Sequence, residues 1–78
     1  MTYTITAWKE GSEKGEVDAK TKREALKIAN QMISGKRGYT CDAVDICEYD
    51  DSDHLQNKTT FTLWGNAWKK DTQYIGEF

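Results

Sequence analysis

The sequence predicts an α+β domain: an antiparallel sheet of four to five strands with one helix packed on one face, in the order ββαβββ. Three observations predict it. The runs "YTITAW" and "TTFTLW" alternate threonine with apolar or aromatic residues, the pattern of half-buried strands. One stretch only, beginning near Thr21, carries apolar residues at helical spacing. Strands and helices do not alternate along the chain, as a parallel sheet would require.

In the first strand Tyr3, Ile5 and Ala7 oppose Thr4, Thr6 and Trp8. "EGSEKG" follows as a turn signal, and "EVDA" as a short second strand that can close a hairpin. Thr21 stands three residues before Glu24, the spacing of a capping box that satisfies backbone N–H groups left unpaired in a first helical turn. From there Ala25, Leu26, Ile28, Ala29, Met32 and Ile33 form one apolar stripe, with Arg23, Lys27, Asn30, Gln31 and Ser34 opposite. Gly35 or Gly38 is expected to stop the helix in a basic final turn that suits its dipole. "AVDICEY" reads as a third strand with Val44 and Ile46 inward, and "DDSDHLQNK" as a solvated loop. "TTFTLWGNAW" reads as a fourth strand that continues through Gly65 or bulges there, "KKDT" as a turn, and "QYIGEF" as a short last strand with Tyr74 and Ile75.

Seventy-eight residues make one domain, 1–78, of a size that buries roughly 60% of its unfolded surface and has no room for a deep catalytic cleft. The net charge of -2 hides a division. Residues 20–37 hold Lys20, Lys22, Arg23, Lys27, Lys36 and Arg37 against Glu24, a net of +5. Residues 42–53 hold Asp42, Asp45, Glu48, Asp50, Asp51 and Asp53 with no lysine or arginine, a net of -6. "MTYTITAWKE" lacks the basic lead and apolar core of a signal peptide, and no run approaches the ~18 apolar residues of a membrane span, so a cytoplasmic location is expected.

No chemistry-bearing constellation emerges. Cys41 and Cys47 on one strand would stand roughly 20 Å apart, too far for a disulfide, and with one histidine they complete no zinc pattern. His54 lies among aspartates in a loop with nothing to hold it against a nucleophile. The same loop lacks the central glycine and distal glutamate of a calcium loop. No glycine-rich phosphate loop leads into the helix. The expectation is a protein without catalytic residues, metal or cofactor.

Surfaces remain. A five-stranded sheet is roughly 24 Å wide, against about 10 Å for a helix, so one helix covers one face only if the sheet curls around it. Strict alternation puts Thr4, Thr6, Trp8, Thr60, Thr62, Trp64 and Trp68 on the uncovered face, and exposed tryptophans are contact candidates. A change of register at Gly65 would instead send Trp68 inward, and Trp8 can pack over a sheet edge. The candidate partner-binding residues are thus Lys22, Arg23, Lys27, Lys36 and Arg37 with Trp8, Trp64 and Trp68.

The stretch "GEVDAKTKREALKIANQ" resembles small phage-encoded anti-CRISPR proteins, in particular type I-F inhibitors of ββαβββ topology: a strand ending in acid-Ala, a polar step, then a helix reading A-x-x-I-A, here Ala25 to Ala29. The resemblance extends to a tryptophan-bearing strand with a Lys-Asp turn, "AWKKDTQY". It implies a non-enzymatic inhibitor whose basic and aromatic surface, matched here by Lys22, Arg23, Lys27 and Trp64, binds a host ribonucleoprotein defence complex. The acidic segment from Asp42 departs from that pattern. The alternative is a small nucleic-acid- or nucleotide-binding module in which the tryptophans stack bases while the helix tracks phosphates.

Overall fold

The computed structural model describes residues 1–74, which form one five-stranded antiparallel sheet and one helix. The elements are β1 (Thr2–Lys9), β2 (Ser12–Ala19), α1 (Lys22–Ile33), β3 (Ala43–Tyr49), β4 (Leu55–Trp64) and β5 (Ala67–Tyr74). In space the strands run β2-β1-β3-β4-β5, with β2 and β5 at the edges. The α+β class and the ββαβββ order are those read from the sequence.

Two of the connections between strands are two-residue turns. Glu10 and Gly11 both adopt positive φ (52° and 81°) and join β1 to β2, so that Lys9 pairs with Ser12. The second strand is therefore longer than "EVDA". It takes in Ser12 to Gly15, with a bulge where Ala7 pairs with Gly15 but Trp8 with Glu13. Gly65, at φ 62°, and Asn66 join β4 to β5, and Trp64 pairs directly with Ala67. Glycine at the first turn position supplies the positive φ that such a hairpin needs without a Cβ penalty.

That second turn overturns the reading of "TTFTLWGNAW" as one strand. The chain reverses at Gly65, "KKDT" lies inside β5 instead of forming a turn, and the last strand begins at Ala67. Ile75 and the remainder of "QYIGEF" lie outside the described residues. Because directly paired residues share a face, Trp68 sits beside Leu63 on the helix side, while Trp64 sits beside Ala67 on the opposite side. The two tryptophans point to opposite faces.

The helix begins as the capping box requires on one side: the Thr21 hydroxyl accepts from the Glu24 N–H at 3.1 Å, an N-cap worth about 1 kcal/mol. It ends at Gly35, one of the two glycines expected to stop it, but without the expected basic final turn. Ser34 is the C-cap and Gly35 follows at φ 76°, with Gly35 N–H donating to the Met32 carbonyl and Lys36 N–H to the Gln31 carbonyl, a Schellman closure. The last turn carries no basic residue, because Lys36 and Arg37 lie past the cap.

Ala25, Ile28, Ala29 and Met32 are the buried stripe of α1. They meet Tyr3, Ile5 and Ala7 of β1, Ala19 of β2, and Val44 and Ile46 of β3. Ile5, Met32 and Val44 are fully enclosed, each contributing about 1.5–3 kcal/mol through burial. Tyr39, from the connection between α1 and β3, lies over Gly15, where a Cβ would meet its ring within 3 Å. The Cys41 thiol donates to the Met32 carbonyl at 3.3 Å, covering a helix-end acceptor in the core.

The helix packs on β1, β3 and β2 and does not cover the whole face. Among the described residues no Cα of α1 lies within 8 Å of β4 or β5. Phe61 and Trp68 are only partly buried, against the margin of the core. Substitution separates the two faces of this hairpin. Trp64→Ala is expected to change stability by less than about 0.5 kcal/mol, since Trp64 is 65% exposed, whereas Trp68→Ala removes core packing and is expected to cost about 1–3 kcal/mol. Urea unfolding of the two variants measures both.

Candidate functional site

Arg23, Lys27 and Lys36 come together on one side of α1, and the cationic residues stay unpaired among the described residues. Lys20, Lys22, Arg23, Lys27, Lys36 and Arg37 are all exposed, and among the described residues none has a carboxylate within 4 Å. The apolar stripe of α1 turns Arg23 and Lys27 outward, because residues on the side opposite a buried stripe face solvent. Lys22 and Leu26 project along the flank that looks toward β4 and β5, where they border a hollow of about 140 Å³ with Asn57 and Thr59 of β4 and Lys70 and Thr72 of β5. Leu26, expected in the core stripe, is 37% exposed for this reason.

The helix-side face of the β4–β5 hairpin continues this surface. Phe61 and Leu63 alternate along β4 with Trp68 and Lys70 opposite them on β5. Leu63 is 36% exposed and no helix stands over it. One carboxylate, Glu48, lines the hollow, and it already accepts from the Asn57 side-chain amide at 3.2 Å. Burial raises the pKa of the neighbouring Tyr3 phenol, and the Glu48 charge beside it raises it further.

The opposite, open face is of another character. Glu16, Thr6, Asp45, Thr60 and Asp71 lie in one row across all five strands. Trp8 lies on this face half-buried, its indole N–H donating to Asp45 Oδ2 at 2.9 Å, and Lys58 Nζ stands 3.9 Å from the same oxygen. Trp8 is therefore tied into the sheet, and Trp64 projects alone at the hairpin tip. The three tryptophans do not form one platform.

Alternation also disperses the acidic segment. Asp45 goes to the open face, Glu48 to the helix side, and Asp42 is held by the Glu10 N–H at 3.0 Å beside the first turn. Asp50 organises the loop that follows, accepting from the N–H groups of Ser52 and His54, both at 2.9 Å, and from Gln56 Nε2 at 3.0 Å. Among the described residues no three or more His, Cys, Asp or Glu side chains are grouped to hold a metal. Both thiols are free, and burial pushes both up in pKa, away from the thiolate form that nucleophilic chemistry uses.

No helix among the described residues is long and apolar enough to cross a membrane. Comparison with protein-family models, with curated proteins and with solved structures finds no match to this chain.

Sequence reasoning found the cations and missed their neighbours. Trp68 reaches the helix side through the Gly-Asn turn, and a Gly-Asn pair between two alternating runs is the signal that marks it. Lys70 joins the site through the same turn, whereas Leu63 is placed by the pairing of β4 with β3.

The Asp50 loop has a stated pH dependence. Hydrogen bonds from His54 first, and from Ser52 and Gln56, hold the Asp50 carboxyl below its ordinary 3.8. A carboxyl depressed in the folded state adds stability that is present above the ordinary value and is lost as pH falls through the depressed one. Asp50→Asn is expected to flatten the fall in thermal midpoint below pH 3.8, as followed by circular dichroism on acid titration. An unchanged acid slope would assign that fall to other carboxylates.

Proposed function

We propose that this chain is a non-enzymatic binding protein, an inhibitor or adaptor of phage or mobile-element origin, that docks on a macromolecular partner through the cationic face of α1 and the aromatic surface beside it. One observation carries the reading: six basic residues between 20 and 37 are exposed and, among the described residues, have no carboxylate within 4 Å. Exposed like charges left unneutralised repel one another, and an acidic or phosphate-bearing surface relieves that repulsion on contact. Trp68, Phe61 and Leu63 lie alongside and supply apolar contact area.

The finer form of the proposal is an anti-CRISPR or other anti-defence protein acting on a ribonucleoprotein complex in the host cytosol. It rests on the resemblance of "GEVDAKTKREALKIANQ" and "AWKKDTQY" to that group. Of the residues matched on that basis, Lys22, Arg23 and Lys27 share the helix surface, whereas Trp64 stands on the other face as a separate contact point. The nucleic-acid alternative has less support, since its three stacking tryptophans do not share a face and the open face carries Glu16, Asp45 and Asp71.

Arg23→Glu with Lys27→Glu reverses two charges on the outer helix face without touching the core. Tagged wild-type chain is expected to capture a partner from nuclease-treated bacterial lysate, and the double variant to lose that capture with its thermal midpoint retained. Equal capture by the folded double variant contradicts a docking role for the helix face.

A further inference from the structure

The helix layer of this fold is half empty. α1 lies over β2, β1 and β3, and the helix-side face of β4 and β5 beside it has no second element above it among the described residues. The uncovered strip is two strands wide, and an α-helix about 10 Å across packs on a sheet at that scale. Its surface is mixed. Phe61, Leu63 and Trp68 form an apolar floor along one half, and Leu26 on the flank of α1 borders the other half, where Asn57, Thr59 and Thr72 line the sheet and Lys70, paired with Phe61, joins the two.

The charges around this floor are one-sided. Lys22 stands on α1 above the near wall, Arg23 and Lys27 on the helix crest, and Lys70 on β5 at the far side. The single carboxylate at the floor among the described residues, Glu48, is bonded to Asn57. An occupant must therefore offer an apolar stripe downward and negative charge along its flanks.

We infer that this trough seats one amphipathic helix of a partner protein, laid beside α1, with its apolar stripe on Leu26, Phe61, Leu63 and Trp68 and its carboxylates toward Lys22 and Lys70. The inference rests on the proposed docking function and names the partner's chemistry. An acidic helix fits better than a nucleic acid, because the two rings of the floor, Phe61 and Trp68, are partly buried against the core and do not stand free for a base to stack on, while Leu26 and Leu63, each about a third exposed, give a phosphate backbone nothing to bind. An incoming helix would complete the sheet's missing cover in the same way that α1 covers the other three strands.

The test is selection from a displayed library of helical peptides of about 18 residues, whose ~27 Å length matches an eight-residue strand, against the immobilised full chain. Selected peptides are expected to carry apolar residues at i, i+3 or i+4, and i+7 with Asp or Glu on the flanks. In fluorescence anisotropy their affinity is expected to fall at least about tenfold with Leu26→Gln and again with Lys70→Glu, and to be unchanged by Trp64→Ala. Leu26 and Lys70 are exposed enough for both variants to fold, and circular dichroism verifies this.

Peptides without that pattern, no enrichment at all, or affinity insensitive to Leu26→Gln and Lys70→Glu would overturn the inference. Peptides insensitive to those changes but lost with Arg23→Glu and Lys27→Glu would overturn it while leaving the helix face as a docking surface. A 20-base-pair DNA duplex that binds through Lys22 and Lys70 and displaces the peptides would give the trough to nucleic acid instead.

Discussion

One helix of twelve residues has to cover a sheet of five strands, and it cannot. Everything notable about the surface follows from that shortfall. The buried stripe of α1 is four residues, Ala25, Ile28, Ala29 and Met32, two of them alanines, so the helix seats closely on β1 and its neighbours and spans no further. The core is correspondingly small and lies under β2, β1 and β3. The β4–β5 hairpin is held to it by strand pairing with β3 and by the margins of Phe61 and Trp68.

The shortfall would matter little if the uncovered strip were polar. Its character is set by a turn of two residues. With Gly65 and Asn66 closing β4 onto β5, Leu63 meets Trp68, and both fall on the side of Phe61 and Val44. A change of one residue in that loop would reverse the face of every β5 side chain, placing Trp68 and Lys70 on the open face and Lys69 and Asp71 on the helix side. A local backbone choice thus decides whether the cations of α1 have aromatic neighbours. Asp45 does comparable work on the other face, where it binds the Trp8 indole and Lys58 and leaves Trp64 as the exposed tryptophan there.

Much of this was legible in the residues. The element order, the Thr21 cap, the buried helical stripe, and the inward Tyr3, Ile5, Ala7, Val44 and Ile46 follow from periodicities that burial enforces on both sides of a contact. The errors share a cause. β5 is an edge strand with little burial, so "KKDT" carries no apolar alternation and reads as a turn. Gly65 sits where the alternation of the sequence runs on without a break, and only the Gly-Asn pair betrays the reversal. The acidic run reads as one feature in sequence and is four in space, since Asp42 lies beside the first turn, Asp45 and Glu48 leave β3 on opposite sides, and Asp50 organises the loop beyond. The cations on α1 kept together because a helix, unlike a strand, can hold them on one face.

The central claim is that Trp68, and not Trp64, faces the helix side of the sheet. Nuclear Overhauser contacts from the two indole rings test it most directly. The account predicts that the Trp68 ring contacts the Leu63 side chain and the apolar core margin, while the Trp64 ring contacts Ala67 and no core residue. A Trp68 ring in contact with Trp64 or Thr62 would mean that the turn at Gly65 is set differently, and the uncovered strip would lose the aromatic floor on which the docking surface depends.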